Sequence, residues 1–297
     1  MSVETTTPEL DQAELARQYG WASSVLNSDP ELQGLFNTAV AETWDPAKFS
    51  AKVRETQWYK THSESWRQNE VLKLTDPTTY ATKQEQAKTS FYAMATSMGA
   101  DISGGQADAL AQQAFDLGWS EQQVRNVLTG YINMSSPNFG GVAGAAADQL
   151  REYATQMGVR MDDGSIQNWA RMEAQAGGTG GGVQMGKQFI LQNAVSAFPP
   201  LAQRLQAGET VDQIISPYKQ SMSNILEVSG DSLDAFDPTI RGAILNKNKD
   251  GSPGTQSLWE FENNLRKDAR WLKTSNAQNS VMSTARKVLT DFGLAAG

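Results

Sequence analysis

Phe49-Ser50-Ala51-Lys52-Val53-Arg54 is followed, three residues on, by Trp58-Tyr59-Lys60-Thr61. Near the other end of the chain, Phe261-Glu262-Asn263-Asn264-Leu265-Arg266 is followed, four residues on, by Trp271-Leu272-Lys273-Thr274. Each copy runs on into a polar segment closing on the same triplet, Leu74-Thr75-Asp76 and Leu289-Thr290-Asp291. The shared pattern is Phe, three residues, an aliphatic, Arg, a short gap, then Trp-apolar-Lys-Thr. Self-similarity on this scale marks stacked helical modules, so the pattern predicts a duplicated helix-turn-helix unit. The expected fold class is all-α, a multi-helical array of such units with no sheet.

Punctuation elsewhere supports that class. Four Asp-Pro pairs, Asp29-Pro30, Asp45-Pro46, Asp76-Pro77 and Asp237-Pro238, each read as a helix start. Aspartate caps free amides, and proline fills the first turn, where no donor is needed. Thr7-Pro8-Glu9 reads as an earlier start, with a weak stripe from Leu10 through Ala13 and Ala16 to Tyr19. The third Asp-Pro pair opens a long stretch in which Tyr80, Gln84, Ala87, Phe91, Met94, Ala95 and Met98 keep near-helical spacing up to Gly99. Further helices are expected over 106–117, 120–133, 186–206, 210–228, 238–245, 256–267 and 276–292.

The joints repeat as well. Ala95-Thr96-Ser97-Met98-Gly99 is echoed by Ala154-Thr155-Gln156-Met157-Gly158, and Gly118-Trp119-Ser120-Glu121 by Gly208-Glu209-Thr210-Val211. In each, a helix is expected to end at glycine and the next to begin at a Ser, Thr or Asp cap. Two stretches read as flexible, 135–147 and the glycine run 177–186. The expected organisation is a mobile tail over 1–7, a helical domain over 8–176, a glycine-rich loop over 177–186, and a second helical domain over 187–297 packed on the first.

Composition excludes several function classes. The 297 residues carry 33 acidic and 25 basic side chains, a formal net charge of −8, which argues against a groove that neutralises phosphates and against sequence-specific nucleic-acid binding. The chain has no cysteine, so disulfides, thiolate nucleophiles and cysteine metal sites are ruled out. No apolar run reaches the length of a membrane span. The segment from Met1 to Pro8 has neither the basic nor the apolar region of a signal peptide, so a soluble protein made and folded in a cytoplasm is expected.

Three stretches touch on chemistry. Gly186-Lys187-Gln188, at the end of the glycine run, approaches a phosphate loop but lacks the hydroxyl residue and a preceding strand. Asn246, Asn248 and Asp250 with Gly251 read like the first half of a calcium loop, but Ser257 stands where a bidentate glutamate belongs; the other reading is a solvated turn. His62, the only histidine, lies in Thr61-His62-Ser63-Glu64-Ser65-Trp66. Sequence neighbours rarely converge as a triad, and Glu64-Ser65 lacks the sugar-binding segment that follows such a pair in soluble lytic transglycosylases. No cofactor is expected. The tryptophans are more informative. Trp58, Trp66, Trp259 and Trp271 lie within the duplicated units, where they serve as a packing seam or as anchors for a partner. Lys60 and Lys273 follow as helix C-terminal cations, and Thr61 and Thr274 as caps for the next helix.

At these units the sequence resembles virion proteins of long-tailed phages of actinobacteria. The resemblance is carried by Tyr19-Gly20-Trp21 running on to Asn27-Ser28-Asp29-Pro30-Glu31-Leu32, by Trp58-Tyr59-Lys60-Thr61, by Ile215-Ser216-Pro217-Tyr218 with Ser221-Met222, and by Ser257-Leu258-Trp259-Glu260-Phe261-Glu262. It implies a non-enzymatic structural protein of the virion, tail or tail-tip associated, whose partners are other virion proteins or further copies of itself. Its alternatives are a peptidoglycan-degrading tail factor and an internal virion protein ejected with the DNA.

Overall fold

The computed structural model describes residues 16–17, 21–133 and 139–291. Among them are sixteen α-helices and one small hairpin. The chain forms two compact units, Met1–Gly141 and Val142–Gly297. The division therefore falls ahead of the glycine run, which lies inside the second unit. The expected tail over 1–7 and the start at Thr7-Pro8-Glu9 fall outside the described residues.

The first unit contains α1 (Ser23–Leu26), α2 (Pro30–Ala41), α3 (Pro46–Val53), α4 (Gln57–Thr61), α5 (Glu64–Thr75), α6 (Pro77–Met98), α7 (Gly104–Leu117) and α8 (Glu121–Thr129). Its N-terminal core gathers Leu26, Leu32, Phe36, Phe49, Val53 and Trp58, with Trp66, Val71 and Leu74 of α5 packed over it. Phe49 and Phe36 meet edge to face at 6.2 Å between centroids. Farther on, Phe91, Ala95, Met98, Ala111 and Leu128 form the buried seam of α6, α7 and α8. Asn69 ties α5 to that seam by donating to the Phe115 carbonyl at 2.8 Å.

The second unit contains α9 (Gly141–Gln156), α10 (Asp163–Gln175), α11 (Gly181–Ala197), α12 (Ala202–Gln206), α13 (Val211–Leu226), α14 (Pro238–Ile244), α15 (Leu258–Leu265) and α16 (Ser275–Asp291). Three 3₁₀ turns intervene, Pro199–Leu201, Gly230–Ser232 and Trp271–Lys273. The expected helix over 186–206 is broken at Pro199-Pro200, because two consecutive residues without amide hydrogens cannot continue the ladder. Tyr218 and Phe261 meet edge to face at 5.1 Å, joining α13 to α15.

The caps follow the sequence closely. All four Asp-Pro aspartates accept backbone amides at the start of their helices. The echoed glycine joints make matching pairs of bonds. Gly99 N–H donates to Thr96 and Ala100 N–H to Ala95; Gly158 N–H donates to Thr155 and Val159 N–H to Ala154. At the other echoed pair, Ser120 with Gln123 and Thr210 with Gln213 each close a reciprocal capping box.

Three expectations are corrected. The fold is not wholly free of sheet: β1 (Asn246–Lys247) pairs antiparallel with β2 (Pro253–Gly254), Asn246 opposite Gly254. Of the stretch 135–147, residues 135–138 lie outside the description, but 141–147 open α9, because its alanines fill a close-packed face with Ala143, Ala146 and Ala147 buried. The glycine run is only half a loop, since Gly181 onward is helical. Glycine is needed there for contact rather than for flexibility. A Cβ on Gly182 would fall on the Trp169 carbonyl oxygen, and one on Gly186 would lie 2.6 Å from a Leu150 methyl. The bare backbone lets α11 lie directly against α10.

Candidate interaction surface

The two copies of the duplicated unit start alike. Phe49 and Val53 in α3, and Phe261 and Leu265 in α15, are each no more than 1% exposed. The turn after each helix makes the same bonds: Glu55 and Thr56 amides donate to Lys52 and Val53, and Lys267 and Asp268 amides to Asn264 and Leu265. The copies then part. Thr56 caps a true helix, α4, whereas Asp268 holds the Arg270 amide at 2.8 Å and the extra residue leads into the 3₁₀ turn at Trp271.

The tryptophans divide accordingly. Trp58 is buried and meets Trp21 and Trp66 edge to face at 6.1 and 6.2 Å. Trp66 stacks on His62 at 3.7 Å, and His62 Nδ1 lies 2.9 Å from the Trp58 carbonyl oxygen. Histidine, Ser63 and Glu64 do not converge as a triad, because the Ser63 hydroxyl caps α5 by accepting from the Trp66 amide. Lys60 stands in the last turn of α4, as expected, but the cation bonded to the carbonyls there is Arg67. Arg67 reaches back to the Tyr59 and His62 carbonyls and lies over the Tyr59 ring at 3.8 Å. Thr61 bonds within its own helix, to Gln57, while Thr274 does cap α16 through the Ala277 amide at 3.1 Å.

In the second copy Trp259 and Leu272 face outward. Trp259 is 73% exposed and Leu272 70%, with Trp271 half-buried and Lys273 exposed. The helix equivalent to α5 is α16, and it packs differently. Leu74 lies against the core of its copy, but Leu289, its counterpart, is exposed, as are Val281, Met282 and Val288. Among the described residues, seven of the eleven large exposed hydrophobic side chains lie between Leu258 and Leu289. Scattered apolar side chains at a surface are ordinary, but a cluster within one short segment marks a contact site.

A carboxylate fixes where α16 begins. Glu227, at the end of α13, takes the left-handed conformation with φ 54° and accepts from the Ser275 and Asn276 amides at 2.9 and 2.8 Å. Those two amides hold its carboxyl below the ordinary value. Asn276 adds a bond back to the Asn224 carbonyl. The helix is thus tethered at its start while its aliphatic stripe stays open.

The same device operates deeper in the unit. Glu173 is 3% exposed, and its carboxylate accepts from the amides of Gly180, Gly182 and Val183 at the start of α11. A helix N-terminus attracts an anion, and here the chain supplies its own. The phosphate-loop reading fails for that reason. Gly186 lies within the helix against Leu150, and Lys187 extends over the Tyr153 ring. Sequence reasoning missed Glu173, although Ile166, Ala170 and Glu173 share helical spacing and so put a carboxylate on a buried face.

The calcium-like segment closes as the turn of the hairpin. Asp250 accepts from the Ser252 amide and hydroxyl, which hold its carboxyl below the ordinary value, and the Asn248 amide donates to Ser252 and Pro253. Asn246 pairs in β1, and Ser257 serves as the cap of α15 in a capping box with Glu260. Among the described residues, no three acidic, histidine or cysteine side chains gather as metal ligands do.

The first unit presents two clefts. One, of about 500 Å³, runs past Trp21, Trp58, Tyr59, Glu64, Arg67 and Gln68. The other, of about 290 Å³, lies over α6, α7 and α8 and is lined mainly by apolar side chains. Among the described residues, no helix is long and apolar enough to cross a membrane. Compared with protein-family models, curated proteins and solved structures, the chain matches none.

Proposed function

We propose that this chain is a structural protein of a bacteriophage virion, tail or tail-tip associated, and that it works through protein–protein contacts made by its C-terminal segment. The observation that carries the contact role is the clustering of exposed apolar side chains between Leu258 and Leu289, four of them on α16, whose start is held by Glu227. Apolar surface concentrated in this way gains most when a partner covers it. The virion assignment rests on the sequence resemblance alone. Mass spectrometry of gradient-purified particles tests it. A few copies per particle, scaled against the major tail protein, is the expected result; presence in infected cells but absence from particles overturns the assignment.

A second reading is favoured by one observation. Glu64 lines the open cleft beside Trp21, Trp58 and Tyr59, an aromatic setting in which a single acid could act on a glycan. It ranks second because glycoside cleavage ordinarily takes two carboxylates, and Glu64 is the only one lining that cleft among the described residues. Clearing of a peptidoglycan gel by purified protein, lost on Glu64→Gln, would establish it.

A further inference from the structure

The exposed apolar side chains between Leu258 and Leu289 differ in their surroundings. Trp259, 73% exposed on α15, lines a cleft of about 250 Å³ together with four side-chain amides, those of Asn246, Gln256, Asn263 and Asn264. Glu260 and Lys267 complete the lining, one acid and one base. Trp259, Asn263 and Lys267 recur every four residues from α15 into the turn after it, and so fall on one face. Asn246 enters from the hairpin and Gln256 from the link that leads into α15.

The frame of this cleft is fixed. Gln256 N–H donates to the Ala243 carbonyl at 2.8 Å, and the Gln256 carbonyl accepts the Tyr218 hydroxyl at 2.5 Å. Asn246 is paired opposite Gly254. Phe261 and Leu265, on the other face of α15, are buried, and the Ser257–Glu260 capping box holds its start. The lining amides are by contrast unspent. Among the described residues, the side chains of Asn246, Gln256, Asn263 and Asn264 make no hydrogen bond within the protein, and neither does the Trp259 indole N–H. Asn246, Gln256 and Asn263 are nevertheless half-buried. Polar groups drawn out of solvent tend to be paired. Three that are not, in the wall of one cleft beside an indole, are arranged to meet a ligand with hydrogen-bonding groups of its own.

We propose that this cleft binds one pyranose ring of a neutral glycan. A sugar hydroxyl both donates and accepts, and each carboxamide offers two donors and an acceptor oxygen, so the four amides match a ring of hydroxyls without any charge. The C–H face of a pyranose is apolar and lies flat on an indole, which is rigid and leaves its N–H for a further bond. The charges of Glu260 and Lys267 are opposite, so the lining does not favour an anion. The volume falls just below the ~300–1,000 Å³ of pockets that enclose a drug-sized molecule, which suits one ring with the rest of the glycan in solvent. An extended peptide is the poorer fit, because it is held by main-chain pairing along a sheet edge or in a groove several residues long. The inference does not depend on the virion reading.

Saturation-transfer difference NMR of the full chain with glucose, galactose, mannose and N-acetylglucosamine, each added alone, tests the proposal. At least one sugar is expected to receive saturation at its ring C–H protons, with a Kd on the order of 1 mM for a single ring. Trp259→Ala is expected to abolish the transfer, and Asn263→Ala to weaken binding about tenfold through one lost hydrogen-bonding group. Leu272→Ala, at an exposed position outside the cleft lining, should leave binding unchanged. None of the three positions is buried, and circular dichroism verifies that the variants fold.

Three results overturn the proposal: no transfer to any of the four sugars; transfer that survives in Trp259→Ala, which would put the sugar elsewhere, as in the aromatic cleft of the first unit; and transfer to triglycine in place of the sugars, which would assign the amides to a peptide. Each of these leaves the particle assay of the virion reading untouched.

Discussion

Glu173→Ala removes the acceptor of three amides at once. Gly180, Gly182 and Val183 all donate to this carboxylate, and Gly182 is itself buried against α10. A hydrogen bond to a charged group contributes about 1.5–3 kcal/mol, and a buried donor left without a partner costs about 1–3 kcal/mol. The three bonds share one carboxylate, so they do not add, and water enters part of the space left by the side chain. A loss of about 3 kcal/mol follows, which is large against a domain stability of about 5–15 kcal/mol. For a unit of this size it lowers Tm by about 6–12 °C. Glu173→Gln keeps one carbonyl oxygen but turns an amino group toward amides that also donate, and about 2 kcal/mol is expected. Urea unfolding followed by far-UV circular dichroism measures both, with unchanged m-values required for the comparison. If the alanine variant lies within 0.5 kcal/mol of wild type, the carboxylate does not hold the start of α11 and the reasoning about that helix is wrong.

The tryptophans should separate by copy. Trp58→Ala is expected to cost about 3–5 kcal/mol, the usual range for a buried aromatic, while Trp259→Ala should change stability by less than about 0.5 kcal/mol; equal effects in urea unfolding would refute the division into core and surface. At the start of α11, Gly182→Ala should destabilise by about 2 kcal/mol through collision with the Trp169 carbonyl. Gly181→Ala, which meets nothing within 4 Å, should stabilise by about 0.5 kcal/mol, and thermal melts of the pair check both signs. The tether of α16 should depend on pH. The Ser275 and Asn276 amides hold the folded carboxyl of Glu227 below its ordinary value of 4.5, so its contribution is complete above that value and is lost as the pH falls through the lower folded one. Hydrogen exchange at the Ser275 and Asn276 amides, corrected for intrinsic rates, should show protection at pH 7 that falls below pH 4; protection independent of pH would contradict the tether. Calorimetric titration of the chain with calcium should give no heat above dilution, since Asp250 and Asn248 are occupied by the hairpin; a saturable heat lost in Asp250→Ala would restore the calcium reading.

Most of what the chain does locally was legible in its residues. Asp-Pro pairs, capping boxes and glycine stops are short-range devices, satisfied within a few residues, so the helix starts at Pro30, Pro46, Pro77 and Pro238 could be read directly. The echo of Ala95-to-Gly99 in Ala154-to-Gly158 likewise produced the same bonds twice, because each needs only a glycine able to take positive φ. Long-range matters were not legible. A glycine that loosens a loop and one that admits a neighbouring helix are the same letter, so the run at 177–186 read as flexible until α10 was seen against it.

The duplicated unit divides along that line. The sequence alone determined that Phe49 and Phe261, with Val53 and Leu265, would turn inward, since a helix of that length buries the positions sharing one face. It also determined the turn that follows each. Only the tertiary structure decided that Trp58 is enclosed while Trp259 and Leu272 face outward, and that α5 is covered while α16 is not. Burial belongs to the neighbours that surround a side chain. In the first copy α1 and α2 close over the unit, and among the described residues of the second unit no helix does so along α16, where only Ala277 is buried.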